Sequence, residues 1–337
     1  MLFQLSSYLG KKIMDTLSRI KEPVSNELKR FDKVFSSAMK SEITLLNVIT
    51  NFVLRRKGKQ IRPLLIFLTA KLNGTINEST YTAASLAELL HTATLIHDDV
   101  VDEAYERRGF LSLNAIWKSK IAVLLGDYLL SKSLIISVER KEHELLEIFT
   151  STVKEIIEGE IFQIQKSRKL NIREDEYFDI IKKKTASLLS ACAAAGATSV
   201  KSSKEEVELM KTFGLLLGTA FQIKDDLFDY EISSVTGKPR GNDIQEKKLT
   251  LPLIAALQKA GNSEKRKIIF LINQKSYKKD TYNKVFHFVH EYGGLDYSRS
   301  ILSDLKNKCE NILIKYPVSE AREALFRLIN YVIERDK

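Results

Sequence analysis

Apolar residues in this chain recur at every third or fourth position rather than at every second, over long stretches. That is the period of an amphipathic helix. Between Tyr81 and Ile96, Leu86, Leu89, Leu90 and Ala93 fall on one face; between Glu206 and Leu227 the same spacing holds, and Gly214 and Gly218 would let a neighbouring helix come close. Breakers separate such runs: Gly58 with Pro63, Gly74 to Ser79, Gly109, Lys201 to Ser203, Gly237 to Gly241, Pro252, Gly261 to Ser263, and Gly293 with Gly294. Only 5 prolines and 14 glycines interrupt 337 residues. The pattern predicts an all-α fold of about ten to thirteen helices, with no repeat period apart from one motif that occurs twice.

Composition adds size and partner class. A chain with 44% hydrophobic and 28% charged residues, and no long Pro/Gly/Ser tract, reads as one domain over residues 1–337. The net charge of +10 favours an anionic partner, and the positive residues are spread along the chain with denser runs at Arg55 to Arg62 and Lys182 to Lys184. That distribution suits a pocket better than a basic tail; nucleic acid, a membrane surface and a phosphorylated substrate all stay open at this point. Cys192 and Cys309 are too few and too far apart for a disulfide framework or a zinc site, which makes a reducing cytoplasm the simplest compartment. The opening MLFQLSSYLGKKIM lacks the order of a signal peptide and reads as the start of an amphipathic helix. The longest uncharged stretch, Thr185 to Val200, is broken by Ser, Thr and Gly and falls short of the ~18 apolar residues of a membrane span. No transmembrane helix is expected.

The chemistry concentrates in two triplets of carboxylates. Asp98, Asp99 and Asp102 close one apolar helical run, and Asp225, Asp226 and Asp229 close another. On a helix, positions i and i+4 share a face with i+1 beside them, so each triplet gathers like charges that repel unless a cation lies between them. Oxygen-only donors of this kind suit Mg²⁺, which keeps several waters and is commonly completed by substrate phosphates. One triplet alone would often be a solvated helix end; two in one chain, both at the ends of apolar helices, point to a site where charge meets a hydrophobic pocket. Cations stand at matching places. Arg107 and Arg108 follow the first triplet, and Lys59 and Arg62 are three apart, one helical turn, where both could grip one anion. His91, about two helical turns before Asp98, would by itself more often be a packed core histidine.

These elements occur in a recognisable order. Gly58-Lys59-x-x-Arg62-Pro63, His91, the first Asp triplet with Arg107-Arg108-Gly109, Gly126-Asp127, Gly159-Glu160-x-x-Gln163, Lys184-Thr185, Phe221-Gln222 before the second triplet, and Gly237-Lys238-Pro239 resemble the trans-polyprenyl diphosphate synthase family over about residues 55 to 255. The stretch Gly294 to Ile301 is similar to that family's C-terminal region. The resemblance implies one polyprenyl synthase domain of the isoprenoid synthase type, a helical bundle around a central apolar cavity, usually a homodimer. It implies that Asp98, Asp99, Asp102, Asp225, Asp226 and Asp229 hold Mg²⁺, three ions with substrate bound, bridging an allylic diphosphate that Arg107, Lys184 and Lys238 also contact. Lys59, Arg62, His91 and Arg108 would bind the diphosphate of isopentenyl diphosphate, and Thr185 and Gln222 would line the reaction centre. The implied reaction is departure of the allylic diphosphate, attack of the isopentenyl double bond on the resulting cation, and loss of a proton, in a pocket that excludes water.

One position departs from the family pattern. Lys247 stands where the family usually has Gly, which bears on where the following Lys248 can put its ammonium against a diphosphate. Four and five residues before Asp98 stand Thr94 and Ala93, neither bulky, where short-chain members tend to carry an aromatic residue. This implies a product longer than farnesyl diphosphate, C30 to C40, with geranylgeranyl diphosphate as the alternative; Leu89, Leu90, Leu130 or Leu134 would form the cavity floor. A terpene cyclase would lack the second triplet and the Lys59/Arg62 pair, a regulatory synthase subunit would carry degenerate triplets, and a nucleic-acid binder rests on charge alone. The expected partners are therefore isopentenyl diphosphate and an allylic diphosphate rather than nucleic acid, with peripheral membrane contact left open.

Overall fold

The computed structural model describes residues 16–55, 58–102, 106–107, 110–111, 113–167, 170–230, 241–274 and 279–335. They form fifteen α-helices with a short 3-10 turn at Glu22–Val24. In chain order these are α1 (Ser25–Ala38), α2 (Thr44–Arg55), α3 (Ile61–Asn73), α4 (Glu78–Val101), α5 (Leu113–Glu139), α6 (His143–Ser167), α7 (Glu174–Ile181), α8 (Ser187–Ser199), α9 (Lys204–Phe228), α10 (Asn242–Gln245), α11 (Leu251–Lys259), α12 (Asn262–Asn273), α13 (Lys279–Glu291), α14 (Gly294–Leu313) and α15 (Glu320–Glu334). The all-α reading holds. The single turn α10 and the continuous run from α7 through a π-helical stretch, Lys182–Ala186, into α8 account for the number lying above the thirteen expected. Two strands of two residues each, β1 (Glu106–Arg107) and β2 (Phe110–Leu111), pair antiparallel just past α4.

Helix ends fall where the breakers stand, for local reasons. Asn77 caps α4 by accepting from the amides of Ser79 and Thr80, while the Asn77 amide donates to the Thr80 hydroxyl. Ser203 and Glu206 form the same reciprocal box at the start of α9. Gly293, at φ 65, turns the chain from α13 into α14 through the left-handed region that glycine enters at little cost.

The innermost element is α8, the very stretch whose lack of charge stood out in the sequence. Cys192, Ala193, Ala195 and Ala197 are fully buried, and small side chains let α3, α4, α6 and α9 close in around it. Gly196 lies against Thr69 and Ile66 of α3, Gly214 of α9 against Leu189 and Ser190, and Gly218 against Ala186. A Cβ at 218 would stand 2.6 Å from the Cα of Ala186, so Gly218 brings α9 onto the π turn while Gly214 brings it onto α8. Large aromatic side chains, Phe31, Phe67, Phe149 and Phe213, fill much of the remaining core.

One helix among the described residues, α5, is long and apolar enough to cross a membrane by length and composition; its scattered charges hide it among the uncharged stretches of the sequence. It kinks at Lys118, φ 65, and packs along α4. Its outer face leaves Leu124, Ile135 and Val138 exposed, and on α6 Ile157, Ile161 and Ile164 are exposed as well.

Candidate active site

Both Asp triplets end helices that pack on α8. Asp102 closes α4 with its amide donating to Asp98 O at 2.8 Å, and Asp229 closes α9 with its amide donating to Asp226 O at 3.3 Å. The 3.6-residue period that buries each apolar face thus delivers three carboxylates to each helix end. Lys248 feels the charge of Asp102 from the first triplet and of Asp243, whose amide holds Asp229 of the second. Burial favours its neutral form, but a hydrogen bond to Glu246 at 2.5 Å and the charges of Glu246, Asp102 and Asp243 carry the ammonium above its ordinary range.

The second triplet is wired into the fold. Gln222 Nε2 donates to Asp226 Oδ1 at 2.8 Å and the buried Tyr177 hydroxyl donates to Asp226 Oδ2 at 2.6 Å, while Thr185 Oγ1 donates to Gln222 Oε1 at 2.9 Å. Thr185 and Gln222, singled out separately in the sequence, thus form one chain of hydrogen bonds ending on Asp226. The amide of Asp243 donates to Asp229 Oδ2 at 2.7 Å, and the Tyr282 hydroxyl donates to the Asp229 carbonyl. Burial drives the carboxyls of Asp226 and Asp243 well above the ordinary carboxylate range, with repulsion from neighbouring aspartates adding to it.

Lys184 lies in the π stretch, where the wider turn re-aims the side chains. Its Nζ sits 2.5 Å from Glu160 Oε2 and 2.7 Å from Gln163 Oε1, which gives the Gly159-Glu160-x-x-Gln163 run its purpose. Glu160 and Gln163, one turn apart on α6, hold the lysine from one side. Gly126 has an equally local reason: a Cβ there would stand 2.1 Å from His97 Nε2, which lies 3.3 Å from Val123 O and 3.5 Å from Asp127 Oδ1.

Lys59 and Arg62 do not share a helical turn. The chain enters α3 through Gln60 at φ 55, in the left-handed region, so Lys59 precedes the helix with its Nζ 5.4 Å from the ring centre of Tyr331, whereas Arg62 belongs to the first turn. His91 lies half-buried on α4. Lys247 adopts φ 57, the conformation a glycine would favour, and its Nζ reaches Asn273 Oδ1 at 3.0 Å. The Lys248 amide then donates to Asp243 O at 2.7 Å, so the turn closes without glycine. Arg107 sits in β1, and Arg108 and Lys238 lie outside the described residues.

Ala93 is fully buried one turn below Asp98, and Thr94 is half-buried with its hydroxyl donating to His91 O. Further down, α4, α5 and α6 line an apolar groove of about 470 Å³, open on one side, bounded by Leu86, Leu90, Leu130, Leu134, Phe149 and Ile157 among others. Three of the four leucines expected at a floor line it; Leu89 is fully buried and does not.

The donor set admits a hard divalent cation. Every candidate ligand is a carboxylate oxygen, and the buried carboxyls need nearby positive charge to stay ionised. Among the described residues no three His, Cys, Asp or Glu side chains converge closely enough to enclose an ion unaided. Water and substrate phosphate would complete the shell, as they commonly do for Mg²⁺.

Comparison with known proteins matches residues 43–289 to the family model described as polyprenyl synthetase. The octaprenyl diphosphate synthase of Escherichia coli is 31% identical over 322 residues, 95% of this chain and 99% of that protein. A geranylgeranyl pyrophosphate synthase structure from Bacteroides thetaiotaomicron superposes with a TM-score of 0.82 at 36% identity, covering 95% of this chain and 100% of that one. A Caulobacter crescentus polyprenyl synthase, solved with calcium and isoprenyl diphosphate, gives a TM-score of 0.86 at 31% identity, covering 95% and 98%.

Proposed function

The chain belongs to the polyprenyl synthetase family, and from that premise we propose that it is a trans-polyprenyl diphosphate synthase, joining isopentenyl diphosphate to an allylic diphosphate and repeating the step beyond C15. The observation that carries the reading is the pair of Asp triplets on helices that both pack on α8, with Lys184 held by Glu160 and Gln163 next to the Thr185–Gln222–Asp226 hydrogen-bond chain.

Each set of residues has a part. Asp98, Asp99 and Asp102 with Asp225, Asp226 and Asp229 would hold Mg²⁺, which when bound takes up the negative charge of the departing diphosphate. Lys184 and Lys248 serve that diphosphate as fixed cations, with Arg107 and Lys238 joining them, and Lys59, Arg62, His91 and Arg108 orient the isopentenyl diphosphate. Thr185 and Gln222 present oriented dipoles to the cationic allylic carbon, a stabilisation that costs no reorganisation because both are already hydrogen-bonded in place. The apolar groove bounded by Leu86, Leu90 and Phe149, on the same helix as the small Ala93, would give a growing tail an apolar surface to follow. The small residues Ala93 and Thr94 before the first triplet favour a C30 to C40 product, with geranylgeranyl diphosphate as the alternative.

The exposed apolar rows of α5 and α6 support a homodimer. A second copy covering Leu124, Ile135, Ile157 and Ile161 would remove surface that a monomer rarely leaves open, and would give α5 a protein rather than a lipid neighbour.

Mass spectrometry of products decides the reaction. Purified protein with Mg²⁺, isopentenyl diphosphate and dimethylallyl, geranyl, farnesyl or geranylgeranyl diphosphate in turn is expected to yield a ladder ending at C30 or longer, and D98A none. A ladder that stops at C20 would make it a geranylgeranyl diphosphate synthase. Cyclised or untouched starters would replace the reading with a terpene cyclase or a regulatory subunit.

A further inference from the structure

Each carboxylate of the second triplet has its own fixing donor. Gln222 and Tyr177 hold Asp226, and the amide of Asp243 holds Asp229. Asp225 is held by the other end of the chain: Arg335 Nη2 donates to Asp225 Oδ1 at 2.8 Å, across 110 residues of sequence. Arg335 is the first residue beyond α15 and lies outside the 43–289 match to the family model. Its side chain is only 8% exposed although it is near the chain end, against 43% for Asp225. The guanidinium lies 3.8 Å from the ring centre of Phe221 and 5.6 Å from that of Phe228, and the same Nη2 donates to Phe221 O at 3.1 Å. One helical turn earlier, Tyr331 takes the ammonium of Lys59 over its ring.

A cation gripped by a carboxylate, a carbonyl and two aromatic faces is a fixed part of its surroundings and not a swinging gate. What it fixes is a partly exposed carboxylate, whereas Asp226 beside it is buried and bonded on both oxygens. We propose that Arg335 is a positioning residue for the metal–diphosphate site, setting the geometry of Asp225 as the Asp243 amide sets that of Asp229, and that Tyr331 on the last helix and Arg335 just beyond it tie the isopentenyl side of the site to the allylic side. The proposal rests on the prenyl synthase reading. Donors behind metal-ligating carboxylates typically account for about 10- to 100-fold in metal affinity or activity.

The test is titration calorimetry of Mg²⁺ into the full chain with inorganic diphosphate present, for wild type, R335A, R335Q and the control K211A, which removes an exposed cation paired with Glu208 on α9. R335A and R335Q are expected to weaken Mg²⁺ binding on the order of 10-fold, with K211A unchanged, and to raise the Mg²⁺ needed for half-maximal elongation. Circular dichroism identifies a variant that does not fold, and the other then decides. Wild-type affinity in the Arg335 variants would make the contact mere packing, and tighter binding would make Arg335 a competitor of the ion; either overturns the proposal. A wild-type protein that elongates nothing would instead overturn the synthase reading itself.

Discussion

Gly159 presses against the residue before Lys184 so closely that a methyl group on it would stand 2.8 Å from Lys183 Cβ and 2.9 Å from the Lys184 amide nitrogen. The π turn that carries Lys184 and Thr185 rests on that bare glycine. Overpacking of this kind typically costs about 1–3 kcal/mol, and here it acts on backbone. G159A is therefore expected to lower the melting temperature and to cut elongation on the order of 10-fold or more, because the π turn must shift to admit the methyl. Thermal unfolding and steady-state rates on one preparation check both effects.

Tyr177 reaches Asp226 from α7, and both are buried. In Y177F the carboxylate keeps Gln222 but loses its second donor, a change worth about 1–3 kcal/mol where water cannot replace the bond. Denaturant unfolding should show that loss, and Y177F should also need more Mg²⁺ for activity.

Lys247 holds a left-handed backbone with a side chain bonded to Asn273. K247A and K247G both lose that bond, but only glycine escapes the steric cost of φ 57, about 1–2 kcal/mol for an ordinary residue. The expected order is that K247G unfolds at higher urea concentration than K247A, by about 1 kcal/mol.

Ala93 is fully buried on α4, between Asp98 and Leu90, and Leu90 lines the apolar groove. If the growing tail runs from Asp98 past Ala93 toward Leu90, a phenyl ring at position 93 obstructs it. A93F is expected to end the product ladder at C20 or shorter without loss of the first condensation, read by mass spectrometry of dephosphorylated products; an unchanged ladder would place the tail elsewhere.

Ile161 is 61% exposed, more open than Ile157 or Ile164 on the same helix. I161K should convert a dimer into a monomer by light scattering, with a melting temperature that no longer depends on protein concentration. If the wild type is already monomeric, the homodimer proposal falls.

Much of this could be read from local pattern. Helix faces, the breakers that end them, the two Asp triplets and the Lys184-Thr185 and Phe221-Gln222 pairs all depend on neighbours within about a turn, where chain geometry alone decides what projects where. Tertiary packing decided the rest. That Glu160 and Gln163 would hold Lys184, that Tyr177 would reach Asp226, and that Arg335 would cross the molecule to Asp225 depends on which helices meet across α8. Nothing periodic marks those residues. Lys247 shows the same division from the other side: its side-chain type argued against a left-handed turn, and the bonds made by the surrounding fold outweighed that local preference.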